Sequence, residues 1–332
     1  MVAPKISFCT TVMNRLHHIQ KTLPQNIVDN NDYTNIEWVI LDYNSNDGLE
    51  EWYSANANVL GENVKYFRTN EPSHYKRSHS RNMAFRLSTG DILVNLDADN
   101  YAGRSFARYI SKMFINHPDS YLAASENISA DVSGKICVSR NDFFAIGGYD
   151  ETIESYGFED FDLKERLEKY GVKRLTFENS EFLKAISHSV HERIKNEYLY
   201  KNLEKLFIER ISPMKARLIF ITKDGKYESA EIVDCQMRYE GLHVKPLNQK
   251  FRFVIVENSI EKGNFSTGIL HNSIEIINQK TIHNIIYFYS QLQSKPLILK
   301  KSDNKDYAAN INGFGNGKIL NAFEPISSPI AI

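Results

Sequence analysis

The sequence predicts an α/β chain, with a mostly parallel sheet flanked by helices followed by a β-rich remainder. Three observations carry that prediction. Short apolar runs alternate with helix-length segments up to about residue 211. One run, Ile92-Leu-Val-Asn-Leu96, begins after Gly90 and ends in Asp97 and Asp99, as expected of a buried strand delivering carboxylates to the ligand-binding edge of a sheet. After Pro213 the pattern changes to strand-like runs separated by turn residues.

Taken in order, residues 6–13 read as a first strand and 17–28 as a helix interrupted by Pro24. Residues 36–42 form a second strand, 43–48 a turn, 49–60 a helix and 64–68 a third strand. A helix over 78–88, with Ser78 or Ser80 as N-cap and Gly90 closing it, leads into the acidic strand end. Further on, 104–114 reads as a helix, 135–139 as a strand, and 141–146 as a short helix ended by Gly147 and Gly148. An amphipathic helix over 161–170 stops at Gly171, a strand covers 172–177, and a long helix is expected from Glu192 to about Ile211. Beyond Pro213 come a hairpin over 216–232 turning at Asp224-Gly225, strands at 251–256, 274–277 and 296–299, and a Gly/Asn loop over 311–318. Two domains result: 1–212, and a β-rich accessory domain over 213–332.

A formal net charge of -1 over 332 residues gives no electrostatic footprint for nucleic acid. Three cysteines, Cys9, Cys137 and Cys235, fit neither a disulfide framework nor a zinc site, so a reducing, cytoplasmic setting is expected. The N-terminus lacks the apolar core of a signal peptide, and no apolar run is long enough to cross a bilayer. A membrane-borne substrate would be met peripherally.

Carboxylates at a strand end are costly beside a core unless water, a donor or a cation satisfies them. A divalent ion carrying a diphosphate would satisfy Asp97 and Asp99; a polar turn is the plainer alternative. Lys76, Arg77 and Arg81 precede them as a basic cluster suited to a diphosphate or to a solvated helix face.

Five motifs stand in a fixed order: Thr11-Val-Met-Asn-Arg15, Leu41-Asp-Tyr-Asn-Ser-Asn-Asp-Gly48, Ser80-Arg-Asn82, Leu96-Asp-Ala-Asp-Asn100, and Gly147-Gly-Tyr-Asp-Glu151 with Gly157-Phe-Glu-Asp-Phe-Asp-Leu163. In these, residues 5–195 resemble a family 2-type glycosyltransferase of GT-A fold with a galactosyltransferase-like C-terminal motif. The resemblance implies an inverting transfer of a hexose from a UDP-sugar donor to the hydroxyl of a glycan or glycolipid acceptor, in surface polysaccharide or glycoconjugate synthesis. Galactose or N-acetylgalactosamine stands ahead of glucose. It implies that Thr11, Arg15, Asp42, Arg81 and Asp97 bind the nucleotide-sugar, with Asp42 accepting from the base. Asp97 and Asp99, as a DxD motif, would hold Mn²⁺ or Mg²⁺ with His188, or alternatively His191. Asp160 would be the general base. Glu159 would orient the acceptor beside Tyr156, and Asp162 would only complement its helix dipole. Tyr43 stands where the family often has a second acidic residue. The rival readings are a nucleotidyltransferase, against which the glycine-free 11–15 loop counts, and a non-catalytic sugar-binding protein, against which the full carboxylate set counts.

Overall fold

A computed structural model describes residues 3–125, 130–177, 179–234, 253–269, 274–302 and 307–320, with side chains left out at Ala130, Thr267 and 295–302. Cys235 lies outside the described residues. The chain divides into two compact units: Met1–His188 with Ile298–Ile332, and Ser189–Leu297. The sequence reading put one boundary at Pro213. Here the second unit begins earlier, and the chain after it belongs again to the first.

The first unit is built on β1 (Ile6–Val12), α1 (Leu16–Asp29), β2 (Ile36–Tyr43), α2 (Leu49–Leu60), β3 (Val64–Thr69), α3 (Arg77–Leu87) and β4 (Ile92–Asn95). It continues with α4 (Phe106–Asn116), β5 (Ser120–Ala124), β6 (Ile136–Ser139), α5 (Arg140–Ala145), α6 (Glu159–Tyr170) and β7 (Lys173–Phe177). The seven strands run in the order β3-β2-β1-β4-β6-β5-β7, mostly parallel, with β6 antiparallel to both its neighbours. This is the mostly parallel, helix-flanked sheet the sequence predicts. Strand order reverses at β1, which pairs with β2 on one side and β4 on the other. Such a switch point opens a crevice at the strands' C-terminal ends.

Both faces of the sheet are apolar, as a covered parallel sheet requires. Phe8, Trp38, Ile40 and Val94 face one core, where Phe8 and Trp38 stack with ring centroids 4.5 Å apart. Cys9, Val39, Leu41 and Leu93 face the other, alternating with the first set along each strand. Cys9 and Cys137 are buried free thiols within these cores.

Differences from the sequence reading have local causes. α3 begins at Arg77 with Lys76 at its N-cap and no side-chain cap, so Ser78 and Ser80 lie inside the helix, where Ser80 Oγ donates to the Arg77 carbonyl (3.0 Å). β5 was not expected; its five residues are all buried in the sheet. The long helix expected after Glu192 is replaced by α7 (Val190–Ile194), α8 (Tyr198–Asn202) and β8 (Leu203–Ser212). The sequence of β8 supports either periodicity, and pairing with its neighbour β9 decides the outcome.

In the second unit β8, β9 (Lys215–Thr222), β10 (Lys226–Asp234), β11 (Phe253–Ile255), β12 (Glu261–Asn264) and β13 (Ile274–Ile276) form an antiparallel sheet. The β9–β10 hairpin turns at Asp224-Gly225 as expected, with Gly225 at φ +74°. Helix α9 (Gln279–Ser302) starts in this unit and lays Ile282, Ile286, Tyr289 and Leu292 into its apolar layer, Tyr289 against Phe220 at 4.5 Å. That helical period carries through residues 296–299, where the short apolar run suggested a strand.

The Gly/Asn segment after α9 belongs to the first unit and binds it closely. Asn310 Nδ2 donates to the carbonyls of Gly147 (2.7 Å) and Tyr149 (2.6 Å), and Gly315 N donates to Glu151 Oε1 (2.6 Å). Leu320 forms a bridge with Arg68 on the edge strand β3. Gly147, at φ +75°, has no room for a side chain, since a Cβ would lie 2.0 Å from the Ala309 carbonyl oxygen. Phe314 fills the core between Phe143 (5.9 Å) and Phe144 (5.6 Å). Phe314→Ala is therefore expected to destabilise the first unit by ~3 kcal/mol, measured by urea unfolding.

Candidate active site

The loops after β1 and β2 lace together at the crevice. Asn14, at φ +55°, receives Asn46 N on Oδ1 (2.8 Å) and sends its own N–H to Ser45 Oγ (3.0 Å). Asp47 Oδ2 accepts Leu16 N (2.8 Å), so Asp47 caps α1 from the neighbouring loop. Arg15 sits half-buried at the N-terminal end of that helix. Thr11 Oγ1 lies 2.5 Å from Tyr75 OH, tying the segment before α3 over the end of β1.

Asp42 is wholly buried. Its Oδ1 accepts Ser45 N (2.7 Å), and its Oδ2 accepts Tyr66 OH (2.6 Å) and Arg68 Nη1 (2.7 Å). Burial pushes its pKa up, against the hydrogen bonds from Tyr66 and Ser45 and the charge of Arg68. The carboxylate expected to accept from a base thus holds the 44–48 turn in this arrangement. Tyr43 OH meets His79 Nδ1 (2.7 Å), and the opposite ring nitrogen of His79 reaches the Asn316 carbonyl (2.8 Å).

Past β4 the chain places Asp97 and Asp99 on different partners. Asp97 Oδ1 accepts Asn95 Nδ2 and Arg81 Nη2, both at 3.1 Å, with a third of its side chain exposed. Asp99 Oδ2 lies 2.6 Å from His188 Nε2, and its Oδ1 accepts Asn100 Nδ2 (2.7 Å). A short backbone pairing builds this contact: Tyr101 N donates to Lys184 O (3.0 Å) and Ile186 N to Asp99 O (2.8 Å). Burial raises the Asp99 pKa, but the hydrogen bond and charge of His188 outweigh it and hold the carboxyl below its usual range. His191 packs instead near Tyr200 (5.3 Å) and His283 (6.4 Å) within the second unit.

Among the described residues no three His, Cys, Asp or Glu side chains converge as a ready-made metal cage. Asp99 and His188 form an oxygen–nitrogen pair, and the buried Asn100 Oδ1 beside them has no partner among the described residues. That donor set fits a divalent ion completed by phosphate and water oxygens.

Arg81 is the centre of the other cluster. Its Nη1 reaches Asp160 Oδ1 (2.8 Å) and Glu159 Oε1 (3.1 Å), while Nη2 reaches Asp97. Expected to meet a diphosphate, it is instead buried among three carboxylates. Burial pushes the Asp160 pKa up to about 6; Arg81 pulls it down, Glu159 and Asp97 push it up, and Lys164 pulls it down. Glu159 is buried with Oε2 unpartnered. Both acids open α6, entered through Gly157 (φ +98°) and Phe158 (φ +72°), a left-handed non-glycine residue of the kind that stores strain at functional sites. Tyr156 lies under the Arg77 guanidinium, 4.0 Å from ring centroid to Cζ.

Asp162 does more than complement the helix dipole. It is buried against Arg166 (2.8 Å), whose other nitrogens donate to the Ile146 (3.0 Å) and Gly148 (2.7 Å) carbonyls. Asp162→Ala strands that guanidinium in the core and is expected to cost ~3 kcal/mol in denaturant unfolding.

Sequence reasoning missed two residues that belong to no motif. Gly134 sits against the Arg81 cluster: a Cβ there would lie 2.9 Å from Asp97 Oδ2 and 3.1 Å from both Arg81 Nη2 and Asp160 Oδ2. Lys135 is buried behind the acidic strand end, donating to the Tyr101 (2.7 Å) and Phe182 (2.5 Å) carbonyls, and burial pushes its pKa down to about 7. A lone lysine beside a glycine in an otherwise apolar stretch was the only signal available.

Residues 7–147 match the family model described as glycosyl transferase family 2, and residues 120–193 the one described as N-terminal domain of galactosyltransferase. Among solved structures the chain is similar to the mannosyltransferase PcManGT from Pyrobaculum calidifontis in complex with GDP-Man and Mn²⁺. Identity is 17% over 60% of this chain and 64% of that one, with a TM-score of 0.49. It is also similar to S. aureus TarS 1-349, at 14% identity over 53% of this chain and 58% of that one, with a TM-score of 0.45. The chain thus spans less than two thirds of the length of either. No curated protein matches it.

Proposed function

We propose, from the match of residues 7–147 to the model described as glycosyl transferase family 2, that this chain is an inverting, divalent-metal-dependent glycosyltransferase. It moves a hexose, galactose or N-acetylgalactosamine ahead of glucose, from a UDP-sugar to a hydroxyl of a glycan or glycolipid. The setting is cytoplasmic surface-glycan synthesis, with the enzyme visiting the membrane peripherally; no helix among the described residues is long and apolar enough to cross it.

The observation that carries the reading is the Asp160 carboxylate, 17% exposed at the start of α6 and gathered by Arg81 beside Glu159 and Asp97; burial pushes its pKa up to about 6. A carboxylate of that basicity accepts a proton at neutral pH better than an ordinary aspartate does. Asp160 takes the proton of the acceptor hydroxyl as that oxygen bonds to the anomeric carbon. The bond from that carbon to the diphosphate breaks with its electron pair going to the departing oxygen. Attack from the opposite side inverts the centre. Glu159 and Tyr156 orient the acceptor. Thr11 and Arg15 line the nucleotide pocket above the turn that Asp42 holds. Mn²⁺ or Mg²⁺, held by Asp99 and His188 with Asp97 adjoining, would supply Lewis-acid stabilisation of the leaving diphosphate.

A screen of UDP-sugars with Mn²⁺ and Mg²⁺, reading UDP release and product configuration by NMR, tests the proposal. Release from UDP-galactose or UDP-N-acetylgalactosamine with inversion is expected. UDP binding without turnover of any donor would make the protein a binder, and retained configuration would exclude the single attack.

A further inference from the structure

We infer that Arg81 is the positioning residue of the transfer site, the guanidinium that gathers Asp160, Glu159 and Asp97 into one cluster, and that it is not a ligand of the donor diphosphate. The inference rests on the transferase reading and deepens it.

Arg81 reaches the cluster from α3, while its partners come from the end of β4 and the start of α6, 16 to 79 residues away in sequence. Both terminal nitrogens are engaged, and only 5% of the side chain is exposed. The guanidinium also lies over the buried Tyr149 ring, 5.3 Å from its centroid, which fixes the plane of the fork. A phosphate would have to displace a carboxylate from a site already holding three negative groups against one positive one. Those groups, with Lys164 one turn along α6, are the charges that Asp160 feels. Gly134 borders the arrangement: a Cβ there would press on the ends of the Asp97, Arg81 and Asp160 side chains at 2.9 to 3.1 Å and shift them by tenths of an ångström. The fork is specific to arginine, because a lysine ammonium is a compact point charge that cannot hold three carboxylates in one plane.

The test compares Arg81→Lys and Gly134→Ala with the parent full-length chain. UDP affinity is measured by calorimetry with Mn²⁺, and kcat, donor KM and the pH profile of kcat are measured with the best donor. Displacing the base by a fraction of an ångström to an ångström predicts a ~10²-fold fall in kcat for both variants. UDP affinity and donor KM should stay within about threefold, since uniform binding is not what is lost. The acid limb of the Arg81→Lys profile should move up by roughly one pH unit, because a single ammonium that reaches fewer of the carboxylates depresses the base less. Loss of UDP affinity by about tenfold or more in Arg81→Lys with kcat retained would make it a phosphate ligand after all. If Arg81→Lys does not fold, Gly134→Ala decides with every charge in place: parent-like kcat overturns the inference. If the parent binds UDP but turns over no donor, the transferase reading fails on its own. Calorimetry then still judges Arg81, retained UDP affinity supporting the inference and lost affinity overturning it.

Discussion

Asp160→Asn should lower transfer by ~10²-fold or more while leaving UDP affinity close to that of the parent, because on the proposed mechanism it removes the general base and no donor contact. The asparagine keeps the shape of the side chain and can still meet Arg81, so the cluster stays assembled. The pH profile gives the sharper reading. The base must be ionised to accept a proton, so parent kcat should rise with pH through about 6 and level off above it. In the variant that limb should vanish. The same pKa has a stability consequence of opposite sign. A carboxyl whose folded pKa lies above its unfolded value stabilises most below about pH 4, and that contribution is lost as pH rises through about 6. At pH 7.5 the neutral asparagine should therefore melt no lower than the parent, which separates a catalytic loss from a folding one. A parent-like rate in a folded Asp160→Asn protein would move the base elsewhere.

The sequence made the sheet and the crevice at its strand ends legible, for physical reasons. Apolar runs with period two on both faces identify covered strands, and the carboxylates that end β4 and open α6 lie in motifs whose spacing survives folding. The partners of those groups were not legible. Arg81 read as part of a basic cluster suited to a diphosphate; its pairing with Asp97, Glu159 and Asp160 depends on how α3 crosses the ends of β4 and α6, which no local pattern shows. Asp162 read as a helix-dipole residue because its burial depends on Arg166 reaching back to the Ile146 and Gly148 carbonyls. The loop over 311–318 read as part of an accessory domain, and the structure extends it to 307–320 in the first unit. Its Asn and Gly residues do signal left-handed backbone, at Asn310 (φ +51°), Gly313 (φ +93°) and Gly315 (φ +60°). Nothing local says that such a loop returns to α3 and the Gly147-Gly148 turn. His188 could be separated from His191 only by the backbone pairing at Asp99 and Tyr101, a long-range contact without a sequence period.

Asp99→Ala is expected to abolish the divalent-ion dependence of UDP binding. In the parent, Mn²⁺ should tighten UDP strongly, because an ion held by Asp99 and His188 would need diphosphate oxygens to complete its ligand set. Among the described residues the protein offers Asp99 and His188 as a close pair at 2.6 Å, with Asp97 turned toward Arg81. Removing one member of so small a donor set leaves an imidazole alone, and a shortfall of ~10–100-fold in metal affinity is the scale set even by outer-shell losses. Calorimetry with UDP, with and without Mn²⁺, reads the effect directly without any turnover. His188→Ala should reproduce it, and His191→Ala should not, since His191 packs against Tyr200 and His283. Asp97→Asn should act differently: its charge is shared with Arg81, so its main effect should be on kcat through the cluster around Asp160. If Asp99→Ala binds UDP and Mn²⁺ as tightly as the parent, the pair with His188 is a structural clip for the 184–188 segment, and the ion is held elsewhere.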